Sequence, residues 1–109
     1  MRRSSYALLA ALTLLLRPAI AAAQQGRPER GEALARANCG ACHAIGPSGA
    51  SPVPRAPAFR DLHRRYPVEH LTEALAEGIV TGHPGMPDFR LEPEQIEDLI
   101  AYLRSLQRG

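Results

Sequence analysis

Apolar positions repeat at helical spacing in two parts of this chain and show no strand-like alternation. In "EPEQIEDLIAYLRSLQRG", Ile96, Leu99, Ile100, Leu103 and Leu106 share one face, which predicts an amphipathic helix with Pro93 in its first turn. Glu94, Glu97 and Asp98 sit toward its positive end, and Arg104 and Arg108 toward its negative end. Val68, Leu71 and Leu75 predict a second helix from Pro67 to Glu77, stopped by Gly78. "PERGEALARANC", from Pro28 to Cys39, is helical by composition, again with a proline suited to the first turn. The chain reads as all-α.

Between these segments the text changes. "GPSGASPVPRAP", Gly46 to Pro57, holds four prolines and two glycines, and "GIVTGHPGMPDF" holds three glycines and two prolines around Met86. Both are stiff loops that cannot stay regular for long. At the start, Arg2 and Arg3 precede an apolar stretch of eleven residues, Tyr6 to Leu16, and then a run of small residues. A bilayer needs roughly 20 apolar residues, so this order predicts a secretory signal peptide over residues 1–23, cleaved after Ala23, in preference to a retained membrane anchor. Residues 24–109 then form one small domain.

Export changes the charge. The precursor carries +2, but Arg2, Arg3 and Arg17 leave with the signal, so ten arginines face eleven acids. There is no lysine and no tryptophan. A nucleic-acid surface needs a clustered basic face with stacking aromatics, and no such face is expected. The remaining charge is uneven: residues 27–65 hold seven arginines and three acids, and residues 66–98 hold one arginine and eight acids. Solvated helix faces account for this, as does an electrical polarity that orients the molecule toward a partner. A domain of this size has little with which to build a core, so a staple is expected.

The two cysteines stand in "CGACH", Cys39 to His43. A disulfide or redox pair is permitted by export, but the redox motif belongs beside a βαβ pattern that is absent here. A zinc site would need His63 and His70, whose separation is wider than usual. Chance is a third reading, and covalent haem attachment a fourth. C-x-x-C-H is the c-type haem signature: two thiols reach the two porphyrin vinyls from a single helical turn, and the next histidine offers an axial nitrogen to iron. This fourth reading is preferred.

Iron held by His43 has a sixth position. Met86, flanked by Gly85 and Pro87 in a stiff loop, is the expected ligand, with His83 as its competitor.

At these residues the chain resembles a small class I c-type cytochrome over essentially all of residues 24–109. "CGACH", "GMPDF", Gly31 and Leu34 before the first cysteine, and "LIAYLRSL" near the end carry the resemblance. It implies that the first and last helices cross beside the haem through Gly31, Leu34 and Tyr102. It also implies a proline loop whose carbonyl accepts the second ring N–H of the axial histidine, for which Pro57 is the match. Arg55, Arg60, Arg64, Arg65 and Tyr66 are within the region that would reach haem propionates or stay solvated; His63 and His70 are expected at the surface.

The function so implied is that of a periplasmic monohaem one-electron carrier and not an enzyme. It would act freely or as the electron-accepting subunit of a periplasmic dehydrogenase, with a terminal oxidase or reductase as another redox partner. A monomer or one subunit of a heteromer is expected, with membrane contact only if the signal segment is retained. The alternative is a haem module that binds or senses a gas, or reacts with peroxide, through a labile sixth ligand.

Overall fold

The computed structural model describes residues 25–78 and 85–107, and the expected signal segment and His83 lie outside them. Among the described residues there are three α-helices and two short 3-10 helices and no strand. The fold is all-α.

Helix α1 spans Pro28–Asn38, with Pro28 in its first turn, Glu29 near the start and Arg36 near the end. The Arg36 guanidinium meets Glu32 one turn back at 2.7 Å. No side chain of its own caps the helix; instead the N–H of Arg27, its N-cap, donates to Asp98 Oδ1 at 2.7 Å. Helix α3, Pro93–Leu106, does carry a local cap: Glu92 and Gln95 form a reciprocal capping box. Ile96, Leu99, Ile100 and Leu103 are buried along it, and Leu106 packs at the core margin.

Helices α1 and α3 make the largest contact among the described elements. Gly31 is buried there, and a Cβ at that position would fall on the Asp98 carbonyl and within 2.8 Å of the Tyr102 Cβ. The two backbones can approach this closely because one of them has no side chain.

The segment expected as one helix from Pro67 divides in two. Val68–His70 is a 3-10 turn that runs into helix α2, Leu71–Glu77. The His70 N–H bonds Pro67 three residues back, so the chain enters through a tighter turn before relaxing to α geometry. Gly78 ends α2 at φ +99°, a conformation that favours glycine. A further 3-10 helix, Phe59–Arg64, was not legible as a periodic segment. Its buried residues, Phe59 and Leu62, are one 3-10 turn apart and eclipse, so a very short helix presents two apolar groups to the core.

One core collects these elements. Ala35, Val68 and Leu103 are its most enclosed members, and Ile45, Phe59, Leu62, Leu75 and the α3 face complete it. Full burial of each aliphatic side chain contributes about 1.5–3 kcal/mol. Arg104 on α3 reaches Glu69 at 2.7 Å and ties the second 3-10 turn to that helix from outside.

Asp98 departs from the expected pattern. Its sequence position suggests a solvated acid near a helix start, but it is only 5% exposed. Its carboxylate takes the Arg27 N–H through one oxygen and the Arg30 guanidinium, at 3.2 Å, through the other. A buried carboxylate is stable only with such partners.

Candidate haem site

Helix α1 ends where the motif begins. Cys39 is its C-cap, and its N–H returns to Ala35 O at 2.8 Å. The N–H groups of Cys42 and His43 then both donate to Cys39 O, at 3.2 and 3.0 Å, so the motif winds one further turn. Both cysteines are half-buried and free, so no disulfide joins them. Cys39 packs against the core, and burial pushes its thiol pKa up, which keeps the sulfur protonated. Among the described residues no cluster of histidine, cysteine and carboxylates could hold a metal ion by itself, so the zinc reading finds no ligand set.

The imidazole of His43 is held from two sides. Its Nδ1 lies 2.7 Å from the Pro57 carbonyl, and the Phe59 ring stands 5.1 Å away, tilted by 48°. A carbonyl can only accept, so Nδ1 carries the proton and Nε2 keeps its lone pair. That is the tautomer an axial iron ligand requires.

The proline-rich loop brings Pro57 to this point through a series of bonds to the motif. Val53 N–H donates to Cys42 O at 3.1 Å, Ser51 Oγ accepts from Ala44 N–H at 2.9 Å, and Phe59 N–H donates to Ala44 O at 2.9 Å. From the far side, Tyr102 OH donates to Ile45 O at 2.6 Å. The Cys42 carbonyl, both backbone polar groups of Ala44 and the Ile45 carbonyl are thus each claimed by another stretch of chain. Sequence reasoning missed Ser51 and Phe59, which belong to no motif, and the bond made by the Tyr102 hydroxyl, whose partner lies 57 residues away.

Met86 is half-buried and lies outside this hydrogen-bonded group. Gly85, at φ +87°, precedes it. The chain then returns to α2: Leu91 N–H bonds Leu75 O at 2.9 Å, and Arg90 donates to Glu77 O at 3.0 Å. The Met86 loop is therefore closed at its base.

The arginines expected near propionates separate. Arg64 pairs with Asp61 at 3.4 Å and is exposed, as are Arg55 and Arg65. Tyr66 packs against the core margin, where burial raises its pKa against the opposing pull of Arg65. Arg60 and His63 lie one 3-10 turn apart, each with one buried nitrogen, Nη1 and Nδ1, that has no hydrogen-bond partner. His63 is therefore half-buried, where a surface position was expected; His70 is exposed. The eclipsed 3-10 ridge draws His63 inward beside Leu62. A groove of about 530 Å³ lined by Gly26, Pro28, Thr72, Ile96 and Arg104 contains none of the motif residues, so concavity does not mark this site.

The donor set fits a haem: two unpaired thiols on one turn, followed by an imidazole already oriented with its second nitrogen free. Comparison with known proteins agrees. The cytochrome c family profile matches residues 28–107. A protein named cytochrome c-553-like, from Synechocystis sp. (strain ATCC 27184 / PCC 6803 / Kazusa), is 31% identical over 84 residues, covering 77% of this chain and 73% of that protein. Cytochrome c-552 of Bradyrhizobium diazoefficiens (strain JCM 10833 / BCRC 13528 / IAM 13628 / NBRC 14792 / USDA 110) is 32% identical over 77 residues, covering 71% of this chain and 72% of that protein. No solved structure gives a significant match. The chain thus belongs to the cytochrome c family, a small class I c-type cytochrome whose cofactor is covalently bound haem c with its iron.

Proposed function

We propose that this chain is a periplasmic one-electron carrier, exported through a signal peptide over residues 1–23, with residues 24–109 as its monohaem domain. Cys39 and Cys42 would hold the haem as thioethers, a link that S–H addition to a vinyl group provides without an oxidant, and His43 and Met86 would be the ligands to its iron. The bound iron supplies a ferrous–ferric couple.

The observation that carries this reading is the His43 Nδ1–Pro57 carbonyl bond at 2.7 Å. It fixes the ring and its tautomer and leaves the Nε2 lone pair free to hold iron. Met86 on a loop closed at its base suits a ligand that stays in place. With both axial positions filled by the chain, no substrate reaches iron, and the activity is electron transfer without catalysis. The arginine-rich first half and acid-rich second half support docking on a charged redox partner, whether a dehydrogenase that donates or a terminal oxidase or reductase that accepts.

The test is the visible spectrum of the holoprotein, made with haem-attachment machinery. Ferric protein is expected to show the weak far-red band of sulfur on iron, and Met86→Ala to abolish it. Reduced wild type is expected to resist carbon monoxide. Ready binding of carbon monoxide by wild type would instead establish a gas-binding module, and a low-spin ferric spectrum without the band would move the sixth ligand to nitrogen.

A further inference from the structure

We propose that the Tyr102 hydroxyl is a positioning group for the axial histidine, holding the backbone that follows His43 and so setting the strength of the His43–Pro57 hydrogen bond. This rests on the ligation of iron by His43 given above. Tyr102 is 5% exposed, and its hydroxyl spans 57 residues of sequence to reach Ile45 O at 2.6 Å. That is short even for a bond between oxygens. Burial raises the phenol pKa, with Glu32 adding and Arg36 opposing, so the hydroxyl stays a donor.

The bond closes a circuit around the imidazole. Ile45 is joined to Ala44, whose carbonyl takes the Phe59 N–H at 2.9 Å. Phe59 lies against the His43 ring and is two residues from Pro57, which accepts the His43 proton. Helix α3 is also anchored to α1, at Gly31 and through Asp98, so the hydroxyl ties this circuit to an element already held in place. A ring serving as filler would need no hydroxyl, and phenylalanine would suffice. An Nδ1–H held firmly on a carbonyl makes the imidazole a more basic ligand, which favours ferric iron and lowers the potential. Releasing the tether reverses this.

The experiment compares wild type, Tyr102→Phe and Ile100→Val as holoproteins. Ile100→Val trims the same helix and leaves the hydroxyl in place. Three quantities are read: the midpoint potential, the Tm, and the exchange rate of the His43 Nδ1 proton in the reduced, diamagnetic protein. Tyr102→Phe is expected to shift the potential upward and speed exchange, while Ile100→Val lowers Tm with both other readouts at wild-type values. Unchanged potential and exchange in Tyr102→Phe, or equal shifts in Ile100→Val, overturn the proposal. Should Tyr102→Phe not accumulate, wild-type exchange decides. The Tyr102 hydroxyl and His43 Nδ1 protons should open together on warming, and independent opening overturns it. A wild-type spectrum without histidine ligation refutes the underlying ligand reading, which the variants do not test.

Discussion

Gly31 on α1 lies against the backbone of Asp98 and the Cβ of Tyr102 on α3, at a separation that leaves no room for a methyl group. This contact sets where both helices sit, and hence where the motif at the end of α1 stands relative to the Tyr102 hydroxyl. Gly31→Ala gains helix propensity on α1 but overpacks the crossing, which costs about 1–3 kcal/mol. The collision involves backbone, so it decides the sign. Thermal unfolding of the holoprotein should show a Tm lower by several degrees, and an unchanged Tm would mean the crossing is looser in solution.

Asp98 links the same two helices by charge. Asp98→Ala leaves the Arg27 N–H without its acceptor and the Arg30 guanidinium with Glu94 as its ion-pair partner. The lost acceptor costs about 1–3 kcal/mol. Denaturant unfolding should show a lower midpoint at unchanged slope, and Arg30→Ala, which leaves the buried carboxylate without its cation, should lower it as well.

The Ser51 side chain helps to hold the proline-rich loop against the motif. Ser51→Ala leaves the part-buried Ala44 N–H unpaired, at a cost of about 1–3 kcal/mol. Amide exchange at Ala44 is expected to accelerate, and Ser51→Thr to restore protection. Equal exchange in Ser51→Ala would show that water replaces the hydroxyl.

The Arg104–Glu69 bond makes stability pH-dependent in acid. The hydrogen bond from Arg104 lowers the Glu69 pKa below its ordinary value of 4.5. A lowered folded-state pKa gives stability that is full above the ordinary value and is lost as pH falls through the lowered one. Glu69→Gln should therefore lower Tm slightly at pH 7, with the difference vanishing in strong acid and shrinking in high salt, because the pair is exposed. A difference that persisted at low pH would assign the effect to packing.

Much of this molecule is written in local sequence. The α3 face from Ile96 to Leu103 follows from 3.6-residue spacing, and α1 from composition and Pro28, because helices are made of contacts three and four residues apart. The "CGACH" chemistry is local too: two thiols and an imidazole within one turn need no distant partner to be recognised, and the cofactor follows from them. Other features had no local signal. Phe59–Arg64 is too short to show a period, and Asp98 looks like any solvated acid until α1 covers it. Tertiary structure alone decided that His63 turns inward, that Ser51 takes the Ala44 N–H, and that the Tyr102 hydroxyl meets Ile45. The Tyr102 hydroxyl crosses 57 residues to reach Ile45, Ser51 bonds across a loop with no repeating period, and His63 is enclosed by packing, so none of them shows in local sequence. Polar pairings of this kind are set when buried groups compete for partners in the packed core.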